Sequence, residues 1–448
     1  MLPRSILAFA LLLLVSGPAE PAGENHTAAT PLLYTVAKTY EPLAWLRGQE
    51  RFPSGAAIFL SSQNGHQPLV PGFADSADPS ISFDGQKVLF AGKAHADNPW
   101  QIWEIDLTGG DPRPVTTFAE DCVRPFYLPD DRVVYARKIA GRFVVETKEF
   151  GSNKALPLTH VPSSALPTDV LRDGRILFES AYPLGTDGTP EIYAVYSDGS
   201  GVESYRCDHG ASRYSARQQS SGDTVFATAH GLARFTSARA QQVSIASPRG
   251  EYAGDVAELP NGDWFVAWRP DSKGYYKMMQ WRPGSADLTI LISEQGAHVV
   301  QPVFAAAHAI PNRHPSGLHD WPNANLLCLN AYTSKNSFAG SIHSVRLYTR
   351  DESGHSKLLG TAPVERDGSF FVQVPNDQPL QFELLDAAGK SLKREAGYFW
   401  MRRGEQRVCV GCHAGPETAP ENAVPQILLK STVPADLTGA SAQSAGGH

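Results

Sequence analysis

The sequence repeats a unit of two strands joined by a tight turn, followed by a third strand that alternates polar and apolar residues. Five copies are visible, and their turn residues are Gly85, Asp131, Gly174, Gly222 and Gly262. The intervals between these residues are 46, 43, 48 and 40. A repeat of about 40–50 residues with four short strands is typical of β-propeller blades. A β-sandwich also has short strands, but it does not explain the recurring unit.

A sixth blade can be assembled from chain on both sides of the five copies. Its four strands are predicted, from first to fourth, at 298–303, 326–329, 56–60 and 67–70. We therefore predict an all-β fold with an N-terminal six-bladed β-propeller over residues 20–335, closed through residues 298–333.

Beyond residue 335 the period stops, and the pattern indicates a second, smaller domain. Strands are predicted at 344–348, 370–374 and 380–385. A turn at Asp367–Gly368 precedes the second of these strands, and a turn at Asp386–Gly389 joins the third to a short strand at 391–393 in a hairpin. We predict a C-terminal β-sandwich-like domain over residues 336–430. The final segment, 431–448, is rich in Ala, Ser and Gly and is predicted to be disordered.

Near the end of this second domain, Cys409 and Cys412 stand three residues apart and His413 follows directly. This is the spacing of c-type haem attachment, in which each thiol forms a thioether with the porphyrin and the histidine ligates the iron. A structural zinc site needs four ligands, and the sequence has no second cysteine pair of this kind. A thioredoxin-like redox pair needs a βαβ setting, which the flanking sequence does not suggest. A simple Cys409–Cys412 disulfide is also compatible with this spacing. We predict one covalently bound haem c.

Several residues just before the motif are candidates for contact with this haem. Met401 could be a second iron ligand, because a thioether suits electron-transfer cytochromes, or it could be a packing residue. Trp400 and Tyr398 could pack near the porphyrin or belong to an ordinary core. Arg407 could pair with a haem propionate, since arginine forms bidentate contacts with carboxylates, or lie in a solvated basic patch.

The first 19 residues have the pattern of a secretory signal. Arg4 supplies the positive start, residues 6–15 are an apolar run, and Gly17 and Ala19 are small residues before a plausible cleavage site. The run is too short for a spanning helix. We therefore expect a periplasmic or extracellular protein, and c-type haem is attached outside the cytoplasm.

Charge and cysteine content limit the partners. The net charge is −7 and no Lys- or Arg-rich run stands out, which argues against binding to nucleic acid. No later stretch predicts a membrane span. Three further cysteines, Cys122, Cys207 and Cys328, are an odd number for an oxidising compartment, and their pairing stays open.

The segment from about 298 to 430 resembles the haem domain of hydrazine synthase alpha subunits and their relatives. The resemblance rests on the sequences at 325–332, 364–370 and 400–405, the last of which runs into the cysteine motif. The upstream repeats resemble the TolB-type propeller that precedes this domain in such proteins. The resemblance implies a propeller followed by a domain with covalent haem.

Three functions are compatible with these features. The first is an exported single-haem cytochrome with six-coordinate, low-spin iron, whose propeller is the docking platform for a redox partner. The second is a haem enzyme that acts on a small nitrogen or oxygen compound, as in the hydrazine synthases. The third is a propeller binding module with a structural haem. No catalytic set is recognisable in the propeller, so we favour electron transfer or binding over catalysis.

Overall fold

A computed structural model describes residues 31–63, 65–205, 209–236, 241–334, 337–351, 354–411 and 422–439. Over these ranges the chain is almost entirely β-structure, with one short helix, α1 (Gln426–Lys430), and a 3-10 turn at Trp45–Arg47. The prediction of an all-β fold is confirmed. No helix in the described ranges is long and apolar enough to span a bilayer. The predicted signal segment, 1–19, lies outside these ranges.

Among the described residues, the first part of the fold consists of 25 strands between Leu32 and Phe304. In chain order they are β1 (Leu32–Ala37), β2 (Ala56–Ser62), β3 (Gly65–Pro68), β4 (Asp75–Ile81), β5 (Lys87–Lys93), β6 (Gln101–Asp106), β7 (Arg113–Pro114), β8 (Cys122–Leu128), β9 (Arg132–Ile139), β10 (Arg142–Glu149), β11 (Leu156–Pro157), β12 (Ala165–Val170), β13 (Ile176–Tyr182), β14 (Thr189–Val195), β15 (Glu203–Ser204), β16 (Tyr214–Gln218), β17 (Thr224–Thr228), β18 (Gly231–Phe235), β19 (Val243–Ser244), β20 (Glu251–Tyr252), β21 (Ala257–Glu258), β22 (Trp264–Arg269), β23 (Lys277–Trp281), β24 (Thr289–Ile292) and β25 (His298–Phe304).

These strands form six antiparallel sheets that have the character of propeller blades. Blades 1 to 4 are β4–β7, β8–β11, β12–β15 and β16–β19, each in sequence order. Blade 5 is β20–β24, in which β20 and β21 both pair with β22. The predicted turn residues separate the first two strands of blades 1 to 4, and in blade 5 Gly262 separates β21 from β22. All five have positive φ, from 53° at Asp131 to 91° at Gly222, where glycine and aspartate are the least strained residues.

Blade 6 has the order β25–β1–β2–β3 and joins chain from both sides of the other blades. Three of its predicted strands are in place, but the prediction of strand two at 326–329 is wrong. Strand two is β1, whose Leu33 is paired with Val303 on one side and Leu60 on the other. The short apolar sequence LLYTVA follows a polar stretch and is almost completely buried between its two neighbours.

The innermost strand of each blade is interrupted by a bulge at the corresponding position. The bulged residues are polar and buried, and they are Asp78, Arg124, Thr168, Ser215, Asp255 and Gln301. We call this set the polar ring. Several of its members hydrogen-bond to one another across blades, so they meet near the propeller axis.

The strongest link in the polar ring connects blades 2 and 5, which are opposite each other. The Arg124 guanidinium donates to both carboxylate oxygens of Asp255, at 3.0 Å each. Its backbone N–H donates to Asp78, which also accepts from Gln301 at 2.5 Å. Burial alone would raise the pKa of Asp255, but Arg124 and Arg217 outweigh this and lower it to about 2. The ring therefore holds an ionised, fully paired carboxylate at its centre.

The second part of the fold is a two-sheet sandwich. Its strands are β26 (Ala324–Cys328), β27 (Ser344–Arg350), β28 (Ser356–Pro363), β29 (Phe370–Val374), β30 (Leu380–Leu385), β31 (Ser391–Arg394), β32 (Gln406–Cys409) and β33 (Ala435–Asp436).

One sheet of the sandwich is mixed, in the order β32–β26–β29–β33, and the other is antiparallel, in the order β28–β27–β30–β31. The two sheets share one hydrophobic core, which includes Leu326, Val345, Val372 and Leu384. The strand β33 pairs in parallel with β29, and the next residue, Leu437, is buried in this core. The prediction of disorder is therefore wrong for residues 435–437.

We expect Asp255→Asn to lower the free energy of unfolding by about 3–5 kcal/mol, because it leaves the buried Arg124 without its full countercharge. The measurement is urea denaturation followed by tryptophan fluorescence. The folded-state pKa of Asp255 is lower than its ordinary value of 3.8. Its stabilising effect is therefore complete above about pH 4 and is lost as the pH falls towards 2. The difference between the two proteins should shrink over that interval.

The matched control is Asp320→Asn, which breaks the exposed ion pair with Arg403. This change should cost less than about 1 kcal/mol. Equal losses in the two variants would contradict a special role for the polar ring.

Candidate functional site

The cysteine motif begins at the end of β32, an edge strand of the mixed sheet. The strand β32 runs parallel to β26, and Cys409 is paired in register with Cys328. The segment from Cys409 to Gly411 is described, whereas Cys412 and His413 lie outside the described residues.

The backbone of the motif approaches the loop that follows β26. A Cβ atom on Gly411 would lie 2.5 Å from the carbonyl oxygen of Thr333 and 2.8 Å from that of Asn330. Neither oxygen can turn away as the end of a side chain can, so only glycine fits at this position. The Leu329 N–H donates to the Cys409 carbonyl at 2.8 Å. The start of the motif is therefore fixed to this loop.

The Cys409 thiol is half-buried, and its Sγ lies 3.3 Å from the Gly411 carbonyl oxygen. A hydrogen bond from the Cys328 thiol lowers the pKa of Cys409 to about 6. Burial opposes this shift, and the nearby Arg407 guanidinium adds to it. A substantial fraction of Cys409 is therefore a thiolate at neutral pH, which is the nucleophilic form of cysteine.

Trp400 and Met401 are adjacent in the chain but are buried in different cores. The Trp400 indole packs among the side chains of blades 2 and 3, near Phe178, and its Nε1–H donates to the Gly199 carbonyl at 3.0 Å. The Met401 side chain is enclosed by the sandwich core, against which Cys409 also packs. This placement favours a packing role for Met401 over a role as iron ligand.

Tyr398 and Arg407 have internal partners. The Tyr398 hydroxyl accepts a hydrogen bond from Arg350 at 2.9 Å, and the same guanidinium lies over the tyrosine ring. The Arg407 Nε donates to Glu405 at 2.8 Å, and a terminal nitrogen donates to the Trp400 carbonyl at 3.2 Å. Arg407 is therefore part of an ion pair inside the fold rather than of a solvated basic patch.

Glu405 connects the motif strand to the propeller. Besides Arg407, its carboxylate accepts the backbone N–H of Gly201, on the turn between β14 and β15, at 3.2 Å. It also accepts the backbone N–H of Arg402 at 2.8 Å. This buried carboxylate stands only four residues before Cys409. Glu405 therefore fastens the start of the motif strand to the blade 3 turn.

A second link joins the sandwich to the segment after β11. Arg402 forms an ion pair with Asp377 at 3.0 Å and hydrogen-bonds to the His160 ring and the Pro157 carbonyl. Burial and the neighbouring Arg402 lower the pKa of His160 to about 4, so this histidine is neutral at pH 7. No pattern in the sequence pointed to His160. Glu405 and Cys328 lay inside the segments that carry the family resemblance, but nothing distinguished them there.

The propeller has a cavity of about 430 Å³ at the ends of its innermost strands. Arg217 forms part of its lining and also contacts Asp255 of the polar ring at 3.2 Å. The guanidinium of Arg217 lies over the Phe126 ring, so the cavity combines a charged group with apolar walls.

One side of this cavity is formed by the segment that leads from blade 6 to the sandwich, which we call the strap (residues 305–323). The His308 backbone N–H donates to the Phe83 carbonyl in blade 1, and the Asn312 backbone N–H donates to the Arg172 carbonyl in blade 3. A Cβ on Gly85 would lie 2.5 Å from the backbone nitrogen of Ala307. The strap therefore passes closely over the turns of the blades on its way to the sandwich.

Part of the second domain matches a known family. Residues 331–414 match the hydrazine synthase alpha subunit middle domain. The matched range includes the whole cysteine motif. No curated protein sequence matches this chain.

Among solved structures, the chain is similar to Kuenenia stuttgartiensis hydrazine synthase, with a TM-score of 0.76 and 17% identity over 90% of this chain and 71% of that chain. It also matches TolB from Acinetobacter baumannii, with a TM-score of 0.47 and 14% identity over 62% of this chain and 67% of that chain. A chain of the nidogen/laminin complex matches with a TM-score of 0.45 and 12% identity, over 62% of this chain and 99% of that chain. The predicted resemblance to hydrazine synthase alpha subunits is confirmed.

We expect Trp400→Ala to destabilise the protein by about 3–5 kcal/mol, because it opens a cavity in the core shared with the propeller. Thermal and urea denaturation would measure the loss. The control is Trp321→Ala, since Trp321 is about half exposed. If both variants lose the same stability, Trp400 is not the anchor of the hydrazine synthase-like sandwich on the propeller.

In the fully reduced protein, Cys409 should react with iodoacetamide with a midpoint near pH 6, because its thiolate is stabilised by Cys328. The readout is the extent of alkylation of Cys409 as a function of pH, by peptide mass spectrometry. Cys328→Ala should move the midpoint upwards, since it removes the largest cause of the shift while burial remains. Cys122 provides an internal contrast, because burial raises its pKa to about 12. A wild-type midpoint near the ordinary thiol value of 9.0 would contradict the stabilised thiolate.

Proposed function

We propose that this protein is an exported c-type cytochrome that carries one haem and transfers electrons to or from a partner docked on the propeller. Cys409 and Cys412 would form the two thioethers, and His413 would ligate the iron. The observation that carries this proposal is the position of the complete motif inside the region that matches the hydrazine synthase alpha subunit middle domain. The N-terminal signal pattern supports a periplasmic or extracellular location.

The described part of the motif suits covalent attachment. The Cys409 thiol is half-buried at a strand end and is shifted towards the thiolate. Gly411 lies against the loop after β26, where only glycine fits, so the described start of the motif is held in place. When bound, the haem supplies one-electron chemistry at a potential that its ligands and surroundings set. The residues of this chain would hold and orient it.

The link between the sandwich and the propeller favours docking on the propeller. Trp400 and Glu405 connect the segment before the motif to Gly199 and Gly201 on blade 3. A partner that binds to the propeller near Gly199 and Gly201 would therefore be held in a constant position relative to Cys409. Electron transfer needs a donor and an acceptor that are brought close together, and it does not require a bond-forming site in the propeller.

A second candidate is a haem enzyme acting on a small nitrogen or oxygen compound. The extended fold similarity to hydrazine synthase, over 90% of this chain, is the observation that favours it. A third candidate is a propeller binding module in which the haem is structural. The cavity of about 430 Å³, with the Arg217 guanidinium and the Phe126 ring, favours this third candidate. The three candidates differ in the expected state of the iron.

The test is expression of the full chain in a host that matures c-type cytochromes, followed by intact mass, absorption and EPR spectra. We expect the mass of one haem, pigment retained through denaturing gel electrophoresis, and low-spin iron in both redox states. The double change Cys409→Ala, Cys412→Ala should abolish attachment. The matched control is Cys122→Ala, which removes a buried cysteine of the propeller core and should leave the haem in place.

High-spin iron that binds CO or cyanide would contradict electron transfer and favour the enzyme. Low-spin iron that does not change its oxidation state within the physiological range of potentials would favour the binding module. A polypeptide without added haem mass would contradict all three.

A further inference from the structure

A third cysteine lies beside the haem-attachment motif. Cys328 is the last residue of β26, and Cys409 is the last residue of β32. The two strands are parallel, and these two cysteines are direct register partners. They are 81 positions apart in the chain, so only the sheet brings them together.

The side chains of the two cysteines point to the same face of the sheet. Side chains alternate between faces along a strand, and aligned residues of neighbouring strands share a face. Asn325 and Gln406 are a register pair on the outward face of the sheet, and their side-chain amides hydrogen-bond at 3.1 Å. Three positions further along, Cys328 and Cys409 face the core, and both pack against the same hydrophobic cluster.

The distance between the strands suits a disulfide. Neighbouring strands lie about 4.8 Å apart, and disulfide-linked cysteines have Cα atoms about 4.4–6.8 Å apart. The thiols are already in hydrogen-bond contact. Cys409 is half-buried and can be reached by a reagent, whereas Cys328 is fully buried and contacts the Cys409 thiol.

We propose that Cys328 and Cys409 form a disulfide in the haem-free protein, and that this bond withholds Cys409 from haem attachment until it is reduced. The second part of this inference rests on the proposed function. The co-reactant at this site is a disulfide that oxidises the cysteine pair or a thiol that reduces the bond. It is either a small molecule or a protein.

The exchange takes place in two steps, and its atoms balance. The Cys409 thiolate attacks one sulfur of the oxidant, breaks its S–S bond, and releases one thiol. Cys328 then loses its proton and attacks the Cys409 sulfur, which forms the Cys328–Cys409 bond and releases the second thiol. The two cysteines lose two protons and two electrons, and the disulfide of the oxidant is reduced to two thiols. A sulfur held in this bond has no thiolate to add to a vinyl group.

The test uses the full-length chain produced without haem maturation, equilibrated with reduced and oxidised glutathione. After a quench with N-ethylmaleimide, proteolysis and mass spectrometry should find a peptide pair linked through Cys328 and Cys409 in the oxidised sample. Cys409 should be protected from alkylation there and regain reactivity after reduction. Cys328→Ala should lose the linked peptide and the protection, whereas Cys122→Ala should keep both.

Other results of these experiments would contradict one part of the inference or another. A link between Cys409 and Cys412, or full alkylation of Cys409 in the oxidised sample, would overturn the proposal. The Cys328→Ala chain should also acquire haem in the maturing host with less dependence on added reductant than wild type, and an unchanged dependence would overturn the withholding role. If wild type never acquires haem, the proposed function fails, while the linked peptide still decides whether the disulfide forms.

Discussion

Trp400 and Met401 are neighbours in the chain, yet each is buried in the core of a different domain. Successive side chains of an extended segment point in opposite directions, so a single segment can belong to two cores at once. Each buried side chain contributes roughly 1.5–3 kcal/mol from burial alone. Separation of the propeller from the sandwich would expose the indole and break its bond to Gly199. The relative position of the two domains therefore depends on this dipeptide.

The propeller depends on a different constraint, the polar ring at its axis. Its charges are removed from water, and such groups are costly unless they are fully paired. Arg124 and Asp255 meet this condition because they pair with each other from opposite sides of the ring. In blade 6, Gln301 accepts a hydrogen bond from Thr35 of β1 at 2.8 Å. Blade closure and the ring thus stabilise each other, because β1 both completes the sheet and provides a partner for a ring residue.

Local patterns in the sequence were sufficient for most of the propeller. Each blade is built from neighbouring strands, and the turns require residues that tolerate positive φ, so spacing and turn chemistry located them. The closing strand β1 was missed because its partner β25 lies at the far end of the propeller sequence, and a short apolar run has no period that identifies it as a strand. The segment 326–329 was assigned to the propeller because it has the same composition as a blade strand. Which of these two segments becomes strand two of blade 6 depends on where each is buried in the fold, and burial is not a local property of the sequence.

The same reason limits what could be predicted about the candidate site. The motif was recognisable because thioether attachment needs two cysteines and a histidine at short range. Arg407 was predicted to pair with a haem propionate or to lie in a solvated basic patch, but its countercharge is Glu405, which is held in place by contacts with the propeller. Cys328 could be counted as an odd cysteine, but parallel pairing of β26 with β32 leaves no mark on the sequence.

The strap and the segment 398–409 give the propeller two separate connections to the sandwich. The strap lines the cavity beside the polar ring before it enters β26, and β26 is the strand on which the motif strand is aligned. The second connection runs from blade 3 through Glu405 directly into β32. The two connections therefore lead into the two strands of the parallel pair, β26 and β32, in which Cys328 is aligned with Cys409.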